Sequence, residues 1–202
     1  MKKNSWRSTK MARIEENQET FLKIYKQLGE NFKARREQKG WTQQKQCDAV
    51  KNLFPDIHIT QSDVSEYEYG CELEMMPVHM RSYKVLCLAF ALDIHPSEIY
   101  SIKGKKEAFS PKLRKRLRSE EVYKKNFGRN LDCIMRKERL SNRLLADRLY
   151  TKAEEMGLLK SPDASISAKT IQRYRKGERN PPFGYLILLC NVLNVEIVKF
   201  LS

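Results

Sequence analysis

The sequence predicts an all-α protein made of two similar helical halves joined by a short basic bridge. Three observations lead there. Apolar residues recur at i, i+3 and i+4 spacing along most of the chain. The 202 residues include 8 Gly and 7 Pro, too few for the turns of a sandwich or barrel. The order of helices and caps in the first half then repeats about 100 residues further on. A hydrophobic content of 41%, with 2 Trp, 9 Tyr and 8 Phe, supplies a core and excludes a disordered polyelectrolyte.

In the first half, Leu28, Phe32 and the stem of Arg36 share one face of a helix that ends at Gly40, a residue suited to a C-cap. Thr42 caps a second helix, QQKQCDAVKNLF, stopped by Pro55 and Asp56. Thr60 caps a short third helix, QSDVSEYEY, closed by Gly70. After Pro77, the residues Met80, Tyr83, Leu86, Cys87 and Ala91 form the stripe of a fourth, and Pro96 opens a short fifth through Ile99. The second half repeats this order. Phe127, Leu131 and Ile134 make the first stripe, Ser141 caps NRLLADRLY, and Ser167 caps AKTIQRYRK, which Gly177 closes. Pro181 and Pro182 precede GYLILLCNVL, and VEIVKFLS follows. The expected organisation is a basic arm at 1–19, a first unit at 20–101, a basic linker at 102–118 and a second unit at 119–202.

Charge is uneven along this layout. The net +14 divides into +2 for 1–19, −1 for 20–101, +7 for 102–118 and +6 for 119–202. Such an excess favours a polyanionic partner, since each cation that neutralises a phosphate releases condensed counterions. In the linker, Ser110 and Pro111 suit a helix start, with Leu113 and Leu117 on one face. No apolar run approaches the roughly 18 residues that a bilayer demands, and the basic start lacks the apolar stretch of a secretory signal. Cys47, Cys71, Cys87, Cys133 and Cys190 form no CxxC pair, and Cys87, Cys133 and Cys190 read as small core hydrophobes. His58, His79 and His95 are scattered and read as turn or surface residues. No metal, cofactor or small-molecule ligand is expected, and the compartment that fits is the reducing cytoplasm.

The segments ITQSDVSEYEYG (59–70) and ISAKTIQRYRKG (166–177) both resemble the recognition helix of the lambda-repressor-like, or XRE-type, helix-turn-helix family. Upstream, LGENFKARREQKGWTQQ (28–44) and FGRNLDCIMRKERLSNR (127–143) resemble its first helix and the start of its second. The resemblance implies two five-helix DNA-binding domains in tandem. Physically, a short helix braced across another can project its N-terminal residues into a major groove about 12 Å wide. By the family's pattern, Val64 and Ile171 lock the recognition helices onto their cores. The outward positions are then Thr60, Gln61, Ser62 and Glu66 in the first unit, and Ser167, Ala168, Lys169, Thr170 and Arg173 in the second, with Lys176 just beyond. Gln43 and Asn142 stand at the start of the second helix, where the family touches the backbone or an adjacent base.

The two copies depart from the pattern in different places. Arg36 and Glu68 occupy the positions of a buried ion pair common in the family, but Met135 and Arg175 stand there in the second copy, so Arg175 is expected to turn outward or to lie along the domain edge. Gln46 replaces a core aliphatic and needs a polar partner or solvent. Both copies carry a longer link before the recognition helix, expected either to extend the second helix or to protrude. The first recognition helix has Asp63, Glu66 and Glu68 with no Lys or Arg, whereas the second has Lys169, Arg173, Arg175 and Lys176. The second unit is therefore expected to supply most of any DNA affinity.

The leading expectation is a sequence-specific double-stranded DNA-binding transcriptional regulator, a repressor, with homodimerisation open and with a linker of roughly 17 residues that permits several half-site spacings. The alternative is a protein-interaction or antitoxin-like module in which the acidic first unit does not read DNA. An enzyme is not expected. Asp132, Glu138 and Asp147 read as solvated faces, Tyr174 as a packing residue, and no Gly-rich phosphate loop, HExxH or GxSxG occurs.

Overall fold

The structure, a computed structural model, describes residues 25–69, 80–96, 99, 111–156 and 166–201. Among them are ten helices and no β-strand. Helix α1 (25–38) buries Tyr25, Leu28 and Phe32. It stops where Gly40 takes φ +63° and the Gly40 and Trp41 N–H groups donate back to the Glu37 and Arg36 carbonyls. Thr42 caps α2 (Gln43–Leu53) by accepting from Lys45 N. Then come α3 (Gln61–Tyr69), α4 (Ser82–Ala91) and the bridge helix α5 (Pro111–Arg116). Leu113 and Leu117 are buried, as their shared face requires, while Arg114, Lys115 and Arg118 face solvent.

The described residues of the second half form five helices, α6 (Glu120–Lys137), α7 (Asn142–Glu155), α8 (Ala168–Arg175), α9 (Phe183–Leu193) and α10 (Val198–Leu201). Ser119, Ser141 and Ser167 cap the first three of these through Val122 N, Leu144 N and Thr170 N. The duplication extends to the backbone. Arg139 takes φ +53° where Gly40 does in the first half, and Asp93 and Asn194, just after α4 and α9, are matched at +56° and +50°. Gly29 and Gly128 are matched as well. A Cβ on Gly29 would lie 2.7 Å from the Glu68 carbonyl oxygen, and one on Gly128 would lie 2.6 Å from that of Arg175. In each half the first helix therefore presses directly against the end of the third, α3 or α8, an approach no larger residue permits.

The links before α3 and α8 behave differently from each other. After α2, Phe54, Ile57 and Ile59 are buried, so the first link packs onto the core and does not protrude. The second link lengthens α7 to Glu155, and residues 157–165 lie outside the described ones. The expected arm at 1–19, the closing Gly70, His79 and Cys71 also lie outside them, as does most of the fifth helix of the first half, of which Pro96 and Ile99 are described. One expectation is corrected. Cys133 is exposed, because it points away from the stripe of Phe127, Leu131 and Met135 on α6, whereas Cys87 and Cys190 are buried. His95 lies in the turn after α4, one of the two places expected for it, and is buried there.

The halves share one continuous hydrophobic core. Helices α4 and α9 pack on each other, Tyr25 meets Phe183 edge-on at 6.1 Å between ring centroids, and Tyr83 lies 5.7 Å from Tyr123. No described helix is long and apolar enough to cross a membrane.

Candidate nucleic-acid interface

Helices α3 and α8 are short and polar, and each is held at both ends. At the start of α3, Thr60 and Asp63 cap each other. Thr60 N donates to Asp63 Oδ2 at 2.8 Å, and Asp63 N donates to Thr60 Oγ1 at 3.2 Å. The other oxygen of Asp63 accepts from Lys84 Nζ on α4 at 2.8 Å. Burial pushes the Asp63 carboxyl up, but the bonds from Lys84 and Thr60 outweigh it and leave the group below its ordinary range. Val64 and Tyr67 turn inward and are buried. At the start of α8, Ser167 Oγ accepts from Thr170 N at 3.1 Å, and Ile171 and Tyr174 fill the buried side.

The far ends are clamped by ion pairs of opposite polarity. In the first half, Arg36 of α1 donates from Nε to Glu68 Oε1 at 2.6 Å and from Nη2 to Oε2 at 2.9 Å. Gln43, the first residue of α2, donates from Nε2 to Glu68 Oε2 at 3.0 Å. The Glu68 side chain is fully enclosed, and its hydrogen bonds hold the Arg36 guanidinium even more firmly protonated than usual. In the second half the cation sits on α8. Arg175 donates from Nε and Nη2 to Asp132 of α6, the Nε bond being 2.8 Å, and from Nη1 to Oδ1 of Asn142, the first residue of α7, at 2.7 Å. Arg136 adds a second cation on Asp132 Oδ2 at 2.8 Å. The two clamps join the same three elements with the charges exchanged.

This corrects the outward expectation for Arg175, whose guanidinium folds back onto α6 and α7 and stays partly exposed at the domain edge, and it gives Asp132, expected on a solvated face, the role of a clamp residue. The pair is half-exposed, unlike the enclosed Arg36–Glu68 pair. A signal for it exists in the sequence, because Asp132 precedes Met135 by one helical turn on the same face of α6. Tyr174 is buried and its hydroxyl is pushed up by burial, so it offers no accessible nucleophile.

The clamps also place the remaining site residues. Thr60, Gln61, Ser62 and Glu66 are exposed on α3, and Ser167, Lys169, Arg173 and Lys176 are exposed on or beside α8, while Ala168 and Thr170 are half-buried. Gln43 and Asn142 are half-buried and each spends one amide atom on a clamp, leaving Gln43 Oε1 and Asn142 Nδ2 for other partners. Of the three acids on α3, Asp63 and Glu68 are neutralised from within, so Glu66 is the acid this helix shows to solvent. Arg173 and Lys176 lie 3.9 and 3.8 Å from Glu178, loose contacts on an exposed surface. No protein-family model, curated protein or solved structure matches the chain.

Proposed function

We propose that the chain is a sequence-specific double-stranded DNA-binding transcriptional regulator of the cytoplasm, a repressor built from two lambda-repressor-like helix-turn-helix units. The observation that carries this reading is the pair of short capped helices, α3 and α8. Each is clamped at its C-terminal end to the two preceding helices and leaves its N-terminal polar side chains in solvent. A rigid helix with free side chains at its N-terminus suits insertion into a major groove, and the unpaired N–H groups at helix starts suit phosphates. The net charge of +14 supports an electrostatic contribution of the same sign. Internal pairing of Asp63 and Glu68 removes most of the acidity that would argue for a protein-only role of the first unit.

Arg173 and Lys169 are suited to guanine O6 and N7 or to phosphate. The test is binding of the full chain to a duplex selected from a random pool, followed by fluorescence anisotropy over a range of salt. Lys169→Ala and Arg173→Ala are each expected to weaken binding by about 1–3 kcal/mol where they read a base, or to reduce the slope of log K against log salt by about 0.9 where they meet a phosphate. Gln61→Ala and Ser62→Ala on α3 are expected to cost less. Failure of the intact chain to prefer any duplex sequence would overturn the proposal.

A further inference from the structure

The two halves meet reciprocally. Ser82, the first residue of α4, donates its N–H to the carbonyl of Pro181 at 3.2 Å, and Phe183, the first residue of α9, donates to that of Met80 at 2.6 Å. Arg81 and Pro182 between them form an antiparallel bridge. Exchanging α4 and α9 maps each bond onto the other, so the seam carries a local two-fold axis inside one polypeptide.

One side chain breaks that symmetry. The buried hydroxyl of Ser82, whose counterpart is Phe183, lies 2.8 Å from the Tyr123 hydroxyl, 2.7 Å from Asn180 Oδ1 and 2.8 Å from the Pro181 carbonyl. A hydroxyl has one proton, so Ser82 shares it between the Asn180 and Pro181 oxygens, and Tyr123 donates to Ser82. Asn180 Nδ2 in turn donates to Glu120 at 3.1 Å, and Glu120 lies 3.6 Å from Arg81. The seam is therefore joined by backbone bonds, by a polar network and by the ring contacts beneath it.

Both reading helices are tied to the seam. Helix α3 is joined to α4 through Asp63 and Lys84, and α8 runs into α9 through residues 176–182. Their separation is thus set by packing and not by the reach of the bridge at 102–118, which replaces the expectation of several permitted spacings. The side chains they offer differ, with Gln61, Ser62 and Glu66 on one and Lys169, Gln172 and Arg173 on the other.

We propose, resting on the DNA-binding reading above, that one chain binds one duplex at two unlike half-sites held at a single separation by the packed seam, with Ser82 as a positioning residue within it. The test uses the full chain and a site selected from random duplex DNA, into which one to five base pairs are inserted between the half-sites. One spacer class and one chain per duplex are expected. An insertion of about half a turn, in a helix of about 10–10.5 base pairs per turn, is expected to lower affinity at least tenfold. Ser82→Ala and, separately, Asn180→Ala are expected to narrow the gap between the best and the lengthened spacer, whereas a merely structural role would weaken binding to all spacers alike and overturn the assignment of Ser82. Half-sites enriched at scattered spacings, or a palindrome occupied by two chains, would overturn the fixed separation while leaving the DNA-binding reading intact. No enriched duplex at all would remove both. The spacer series on the unaltered chain needs no variant to fold.

Discussion

Gln46 occupies the fourth position of α2, and its side chain is fully buried with neither amide atom hydrogen-bonded. The matching position of α7 holds Leu145, also fully buried. An unpaired buried polar group costs about 1–3 kcal/mol, because water's hydrogen bonds are lost with nothing in exchange. Gln46→Leu is therefore expected to stabilise the chain by about 1–3 kcal/mol, read as a higher urea midpoint at unchanged slope. A lower midpoint would show that the amide has a partner in solution. At this scale the sequence exposes oddities more readily than their resolution. Gln46 stands out among core aliphatics, and Arg36 and Glu68 occupy the two ends of a familiar ion pair. The reversed clamp was harder to read because its acid, Asp132, lies a full turn from the position that the first half uses, so the charge exchange becomes visible only when α6, α7 and α8 are assembled.

Among the elements, the helix starts were the most legible feature. Thr42, Ser141 and Ser167 all cap as their sequence context predicts, since a cap bond spans three residues and depends on little else. The length of α7 was not legible, because continuing a helix or leaving it differs little in local propensity. The attachment of α3 to α4 carries a pH dependence. Asp63 has an ordinary value of 3.8 and is lowered in the fold, so its contribution is fully present above that value and is lost as pH falls through the lower folded one. Acidification below about pH 4 is expected to loosen α3 before α8, its counterpart in the second half. Amide hydrogen exchange across 61–69 and 168–175 compares the two directly, and Lys84→Met should move the loosening of α3 toward higher pH. Equal acid sensitivity of the two helices would refute the assignment.

For the whole molecule, the sequence revealed two repeated units but not the surface that joins them. A signal was present in α4 and α9. Nearly every side chain of SYKVLCLAFA and of FGYLILLCNVL is apolar, and a helix apolar on all sides must be covered on all sides. A five-helix unit standing alone would leave such a face in water. The shared core predicts that the full chain melts in one cooperative transition, with calorimetric and van't Hoff enthalpies equal. Two separated transitions would show that the halves unfold independently. Residues 20–101 or 119–202 expressed alone should self-associate or aggregate through the uncovered helix.

In an assembly of identical subunits every substitution arrives twice, once on each side of the symmetry axis. Here the paired Met80–Ser82 and Pro181–Phe183 segments place that axis within a single polypeptide. A change on one outer helix is consequently not mirrored on the other, so the side chains that α3 and α8 present can change independently. The backbone retains its symmetry; the chemistry displayed on it is free to diverge.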